Sequence, residues 1–485
     1  MDIRKITEEM EKGKANVLEE YRPRFHFTAP CGFINDPNGF TNFNGEWHLF
    51  YQYHIAGMVG WGHAKSKDLT HFTHLPPAVM PDEDYDRQGC WSGGAIAKDG
   101  KLYILYTGQN DQTEVSPQYE CQCLAQSTDG ITFEKSKKNP VIRPEQMTGD
   151  YSTADFRDPN VWKHGDRYYV ILGNAKKEVW KGQLQLFSSS DLEKWEYMGV
   201  AYENPALGEM YECPSFVNID EENDLLVFSP IGVPVEGYDY HNSRSNVYVL
   251  GKMDYESGKF VEKSHGEIDH GKDFYAAQVA RDEAGVPVLI AWQANWGREY
   301  YTGTHGVGFE NNMTLPRELS VERGKLVQKL YRKVEKSFRP AGKQSFTLNG
   351  KTEREDHGRS YRLKLSVDMK NAEKFALHFL ADGKQETVLS YEKTSGLLTL
   401  DSSKSGYPTK GEQREKVYEG VRSVKVPLRC GKLSLDVFTD VSSVEVFAAN
   451  GKETMSQHSF NDLSATGVFF EADGASLTAE WFDYE

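Results

Sequence analysis

The feature that most constrains this chain is a recurrence. Short runs of β-branched and aromatic residues, WHLFYQYH at 47–54, LYILYTG at 102–108, YYVILG at 168–173, LLVFSP at 225–230 and VLIAWQ at 288–293, begin 55, 66, 57 and 63 positions apart. Runs of this composition between Gly, Asp and Asn turns read as strands. A second signal has the same period. Ser66-Lys67-Asp68 with Phe72, Ser127-Thr128-Asp129 with Phe133, and Ser189-Ser190-Asp191 with Trp195 share one form and lie 61 and 62 residues apart. A unit of about 60 residues with several strands and no helix matches a propeller blade of four strands. Five units predict a five-bladed β-propeller over residues 22–325. A β-sandwich with long loops is the rival, and it gives no reason for the period.

The chain changes character near residue 340. Of the formal net charge of -16, only -3 lies beyond that point (19 Lys plus Arg against 22 Asp plus Glu), and eight of the nine tryptophans precede it. Segments such as SYRLKLSVDM at 360–369 and SSVEVFAAN at 442–450 alternate polar and apolar residues, which predicts a C-terminal β-sandwich over 340–485. The whole is thus all-β, with Leu315–Arg339, rich in Lys and Arg, as the expected connector. At the front, Ile6, Met10, Val17 and Leu18 have loosely helical spacing and predict one short polar helix.

Seventy-two acidic against 56 basic side chains disfavour a nucleic acid or an anionic membrane as partner. With no 18-residue apolar run and a charged N-terminal stretch, the expectation is a soluble, cytoplasmic protein. The six cysteines are spaced too irregularly for a disulfide framework or a zinc site, and buried free thiols are expected.

The repeat also ranks the carboxylates. Asp36, Asp158 and Glu212 lie 11, 10 and 13 positions before the first, third and fourth runs, each in uncharged or aromatic company. If the residues upstream of each run form the innermost strand, the three side chains meet in one central funnel. They sit in Asn-Asp-Pro, Arg-Asp-Pro and Glu-Cys-Pro, with no compact acidic loop of the calcium-binding kind, so no metal is expected. Nearby WGHA at 61–64, GCWSGGA at 89–95, HGKDFYAAQ at 270–278 and WQANW at 292–296 mix aromatic faces with amides and hydroxyls, as a sugar ring requires. Glycoside cleavage needs a protonated carboxyl at the leaving oxygen and an ionised one facing the anomeric carbon. Arg157, beside Asp158, can hold a carboxylate ionised, and the acid is expected at the least solvated site.

FINDPNG at 33–39, LFYQYH at 49–54, WGHAKSKDLTHF at 61–72, WSGGA at 91–95, FRDPNV at 156–161, YECPS at 211–215, HGKDFYAAQ and MTLPREL at 313–319 occur in an order that resembles glycoside hydrolase family 32. This is the group of invertases, sucrose-6-phosphate hydrolases and fructan hydrolases. The resemblance implies a propeller followed by a sandwich, no cofactor, and a retaining β-fructofuranosidase that removes terminal β-D-fructosyl units from sucrose and short fructooligosaccharides. It implies that Asp36 is the nucleophile, that Glu212 is the acid/base and that Asp158 fixes the furanose. It also implies sugar contacts from Asn35, Gln52, Trp61, Trp91, Ser92, Arg157 and Trp292, with Cys213 tuning the acid/base. Phe33-Ile34 replaces the family's usual Trp-Met, and Gly94 stands within WSGGA where the family commonly has Ser.

Sucrose-6-phosphate hydrolysis, fructosyl transfer, fructan-specific hydrolysis and a non-catalytic carbohydrate-binding role are the alternatives. An inverting arabinan or xylan hydrolase fits less well, because it does not explain the NDPNG and EC motifs or the terminal sandwich. The partner is a small sugar, and the oligomeric state stays open, with a homo-oligomer among the options.

Overall fold

The computed structural model describes residues 3–112, 116–411 and 420–485. Each of the five apolar runs becomes the second strand of an antiparallel sheet, and the residues just upstream of it form the first. These first strands, Gly32–Phe43, Gly89–Lys98, Phe156–His164, Met210–Asn218 and Tyr275–Arg281, pack side by side around a ring as the innermost strands of blades 1 to 5. The ring closes where Tyr275–Arg281 of blade 5 packs against Gly32–Phe43 of blade 1, whose inner edge also pairs in parallel with Phe309–Glu310.

The Ser-x-Asp repeat has a physical basis in blades 1 to 3. It is the turn from the third strand to the fourth. Asp68 Oδ1 accepts the backbone N–H groups of Thr70 and His71, Asp129 those of Ile131 and Thr132, and Asp191 those of Glu193 and Lys194. The serine two residues earlier donates its hydroxyl to the aspartate in each case. A carboxylate that caps its own turn this way fixes the hairpin without a glycine at every position.

One expectation fails at the end of the propeller. Leu315–Arg339 is not a connector: Arg317–Glu322 and Lys325–Leu330 form the outer hairpin of blade 5, so the propeller runs to Leu330 rather than 325. Basic residues are abundant there because an outer strand faces solvent on one side. The link proper is a single helical turn, Arg332–Glu335.

All five inner strands are interrupted by a bulge at the same level. Their pairing to the second strand slips between Ile34 and Pro37, Trp91 and Gly93, Glu212 and Ser215, and Tyr275 and Gln278, and in blade 3 opposite Ile171–Gly173. Asp158, Cys213 and Ala276 adopt left-handed φ values of +62°, +49° and +55° at this point. Such conformations cost a non-glycine residue about 1–2 kcal/mol, and a bulge re-aims the side chains beside it. The bulges therefore turn the funnel-facing residues inward.

In the C-terminal domain the long strand Gly467–Tyr484 pairs along one side with Phe338–Lys351. On its other side it pairs with Ser360–Asp368 at one end and Lys374–Ala381 at the other. A bulge at Leu348–Asn349, opposite Gly474 at φ +115°, turns this ribbon from one layer of the β-sandwich into the other, so both layers are joined as one continuous sheet.

The two domains share a buried ionic seam. Arg317 of blade 5 is fully buried and donates to Asp269 (2.9 Å) and to Glu445 of the sandwich (2.7 Å). His26 lies between Asp440 and Glu445 at 2.9 and 3.0 Å. Burial works to lower its pKa, but the two carboxylates outweigh burial and lift it to about 9. The expected N-terminal helix forms over Ile3–Lys14 and buries Ile6 and Met10. Five cysteines are buried free thiols as expected, whereas Cys430 is exposed. Among the described residues no helix is long and apolar enough to cross a membrane.

Candidate active site

The bulged inner strands meet in a cavity of about 390 Å³ lined by Asn35, Asp36, Gln52, His54, Val59, Trp91, Ser92, Asp155, Arg157, Asp158, Glu212, Arg244 and Trp296. A larger groove, of about 750 Å³, lies between blade 5 and the sandwich, but most of its charges already have partners, as Arg362 has Glu335 and Asp436. The carboxylate chemistry belongs to the funnel.

Asp36 is buried. Its Oδ2 accepts the Ser92 hydroxyl at 2.6 Å and lies 3.5 Å from the Cys213 thiol, while its Oδ1 has no hydrogen-bond partner. Burial pushes its pKa above the usual carboxylate range. Gln52 lies beside Ser92, its Oε1 3.2 Å from Ser92 Oγ, and its amide donates to the Cys90 carbonyl (2.9 Å). Asn35 Oδ1 is held by His54 Nε2 at 2.9 Å, and burial keeps that imidazole neutral by pushing its pKa down to about 4.

Asp158 Oδ2 accepts the backbone N–H of Cys213 at 2.8 Å, and the Cys213 thiol lies 3.4 Å from the same oxygen. One thiol thus bridges Asp36 and Asp158, and burial raises its own pKa well above normal. Burial also raises Asp158, against the pull of Arg157 and with the push of Asp36 and Glu212, to about 7.

Glu212 is treated differently. Burial works to raise it, but Arg157 Nη2 at 2.9 Å, Nε at 3.2 Å and the Tyr275 hydroxyl together hold it below the ordinary glutamate value. Arg157 is held from behind by Glu120 (3.1 Å) and Asp155 (3.2 Å). Glu120, fully buried, is itself lifted by burial to about 7.

Several sequence expectations need correction here. Arg157 does hold a carboxylate ionised, and that carboxylate is Glu212 of the next blade; of the three predicted carboxyls, those with raised pKa are therefore Asp36 and Asp158, not the expected acid Glu212. Trp61 and Trp292 do not line the cavity. Both are fully buried: Trp61 stands behind the wall and donates its indole N–H to the Trp91 carbonyl, and Trp292 packs behind Phe33 and Trp296. Of WQANW it is Trp296 that reaches the cavity. Of HGKDFYAAQ, Tyr275 touches Glu212, while His270 and Asp273 donate backbone N–H groups to Thr454 and Ser456 of the sandwich. Glu120, Asp155 and Arg244 were not anticipated, and His54, Tyr275 and Trp296 entered only as members of their motifs. The signal for Glu120 was present, since Tyr119-Glu120-Cys121 repeats the tripeptide Tyr211-Glu212-Cys213.

Residues 26–330 match the model of the glycosyl hydrolases family 32 N-terminal domain, and 326–484 match that of the family 32 C-terminal domain. The chain belongs to glycoside hydrolase family 32. Among family 32 relatives, the sucrose-6-phosphate hydrolase of Zymomonas mobilis is 34% identical over 96% of this chain and 92% of its own length. The raffinose invertase of Escherichia coli is 34% identical over 92% of this chain and 91% of its own. The sucrose-6-phosphate hydrolase structure from Lactobacillus gasseri superposes with a TM-score of 0.87 at 27% identity, covering 99% of this chain and 96% of that one. In this family 32 member, then, two aspartates joined through a thiol face a glutamate held by an arginine across one funnel.

Proposed function

We propose that the funnel hydrolyses β-fructofuranosides, sucrose and short fructooligosaccharides, by a retaining double displacement. The observation that carries this reading is the division of the carboxyls: Asp36 presents an unpartnered oxygen, while Glu212, on another blade, is gripped by Arg157 and Tyr275. Asp36 attacks C2 of the fructosyl unit as the glycosidic bond breaks. Glu212 gives its proton to the departing oxygen, then takes one from the water that releases fructose. Asp158, with Asn35, Gln52 and Ser92 nearby, holds the furanose hydroxyls.

Burial favours the protonated forms of Asp36 and Asp158, whereas Arg157 favours ionised Glu212. The reaction needs the opposite arrangement. Sugar hydroxyls that donate to Asp36 and Asp158 stabilise their anions, and a leaving ring over Glu212 strips water from it. Both effects move the proton to Glu212. The acid and alkaline limbs of the pH profile then belong to the coupled carboxyls as a set rather than to single residues.

Family membership and relatives named for sucrose 6-phosphate and raffinose support a substrate with a terminal fructosyl unit. Sucrose 6-phosphate is the second reading, favoured by a free guanidinium in the funnel. Free thiols, including exposed Cys430, accord with the cytoplasm as its location.

The test is a pair of variants. Asp36→Ala is expected to lose about 10⁴-fold or more in kcat on sucrose. Glu212→Ala should lose on the order of 10³-fold on sucrose, but far less on an aryl β-fructofuranoside whose leaving group needs no proton. Sucrose cleavage by Asp36→Ala near the parent rate would rule the mechanism out.

A further inference from the structure

Arg244 stands apart from the other charges of the funnel. Four carboxyls line the cavity, Asp36, Asp155, Asp158 and Glu212, against two guanidinium groups, Arg157 and Arg244. Arg157 is fully engaged by Glu120, Asp155 and Glu212. The Arg244 guanidinium makes no hydrogen bond or ion pair with any described residue, and its Nε is buried without a partner.

Its backbone is the reverse, tied down on every side. The Arg244 carbonyl accepts the Asn295 amide at 2.9 Å, and Ser245 next to it donates to the carbonyls of Pro230 (2.9 Å) and Asn242 (3.0 Å). Asn242 in turn donates to Gly271 and accepts from both Arg298 and Arg422. A fixed backbone that presents an unpaired guanidinium to a cavity is preorganised for a ligand, and the ligand a guanidinium selects is an oxyanion it can grip with two N–H groups.

Its position says which part of the substrate carries that anion. Arg244 bridges to Ile231, which pairs with Met210 two residues before Glu212, and Arg244 and Glu212 line the same cavity. Glu212 is the group that faces the departing oxygen under the proposed mechanism, so Arg244 lies on the leaving-group side. Trp296, the residue after Asn295, lines the same cavity and offers a ring face to a sugar. A neutral leaving sugar would leave the guanidinium without an ion pair, since no funnel carboxylate lies within ion-pair reach of it and Glu212 and Asp155 are already held by Arg157.

Resting on the β-fructofuranosidase reading of this funnel, we propose that Arg244 is the specificity-determining residue of the leaving-group subsite. The subsite takes a hexose that carries a phosphate monoester, and Arg244 holds the phosphate. The preferred substrate is then a phosphorylated sucrose.

The test compares kcat/KM on sucrose 6-phosphate and on sucrose for the full-length enzyme, Arg244→Gln and Arg244→Lys. The parent should favour the phosphorylated sugar by about tenfold or more, and Arg244→Gln should lower that preference ratio about 100-fold, the weight of a charge-assisted contact. Arg244→Lys, a point charge without the fork, should fall between them. Because each ratio is taken within one preparation, an inactive fraction cancels. Glucose 6-phosphate as a competitive inhibitor gives a second readout, with its inhibition constant rising about 100-fold in Arg244→Gln relative to that of glucose.

A ratio untouched by Arg244→Gln, or a parent enzyme that prefers plain sucrose, overturns the assignment and leaves the β-fructofuranosidase reading standing. Fructose release from neither substrate by the parent enzyme overturns both.

Discussion

Asp158 shows what a catalytic funnel asks of a single residue. Burial, Asp36 and Glu212 raise its pKa to about 7 in the fold, whereas an unfolded aspartate titrates near 4. The folded state therefore holds the proton more tightly than the unfolded one, so ionisation works against folding. The penalty is absent below pH 4, grows between 4 and 7, and is complete above 7. Asp158→Asn, whose side-chain oxygen can still accept the Cys213 N–H, should be more stable than the parent at pH 8 by on the order of 1 kcal/mol or more. Urea denaturation should find that gain gone at pH 4, and a gain of equal size at both pH values would contradict the argument. At this scale the sequence was readable where residue type and setting agree. Asp36, Asp158 and Glu212 stood out because carboxylates rarely keep uncharged company. Trp61 and Trp292 misled, because a motif gives a residue's identity but not which side of the wall it occupies. Arg244, between two serines, had nothing around it to mark it.

The bulged inner strand is the element that aims these side chains. Counting back from each apolar run found the strand, yet misaligned its residues. By pairing register Glu212 corresponds to Arg157, and Cys213 corresponds to Asp158; both of the latter pair have left-handed φ and precede proline. The offset of 13 rather than 10 hid this, since hairpin length varies between blades and register does not. Glycine permits the blades to close on one another. A Cβ on Gly173 of blade 3 would lie 2.1 Å from the Tyr211 carbonyl of blade 4, and one on Gly182 would lie 2.2 Å from the Tyr211 ring. Gly173→Ala must push away the strand that carries Glu212. Its expected cost is about 1–3 kcal/mol of stability with a fall in kcat of tenfold or more. Gly342→Ala, which meets nothing within 4 Å, is the control and should change neither thermal unfolding nor sucrose turnover. Equal behaviour of the two variants would refute the account.

At the scale of the whole molecule the seam between propeller and sandwich behaves as interior rather than as a joint between separable bodies. Gly271 lies against the backbone of Ser456 so closely that a Cβ there would come within 2.1 Å of its carbonyl, and Arg317 bridges Asp269 to Glu445. None of this was legible: charges that are paired and buried look in sequence like the charges of a surface, and Arg317 fell within the stretch expected as a linker. His26 gives the seam a pH dependence of known sign. Its pKa is raised to about 9 from an ordinary 6.5, so its contribution is complete below 6.5 and is lost as pH rises through 9. His26→Gln should therefore destabilise most at pH 6 and progressively less toward pH 10, as followed by chemical denaturation. A penalty that is flat across that range would exclude the charged histidine.

The same seam sets an order on synthesis. The backbone N–H groups of Arg24, Phe25 and His26 all end on Asp440, and His26 lies 414 positions earlier in the chain than that partner. The edge of blade 1 likewise waits for Gly308 and Phe309. A ribosome delivers this segment long before its partners exist, so Phe25, which packs on Phe338 and Tyr484 and is nearly inaccessible in the finished protein, stays uncovered until the last strands emerge. The need for a chaperone falls on this early-made segment rather than on the growing end.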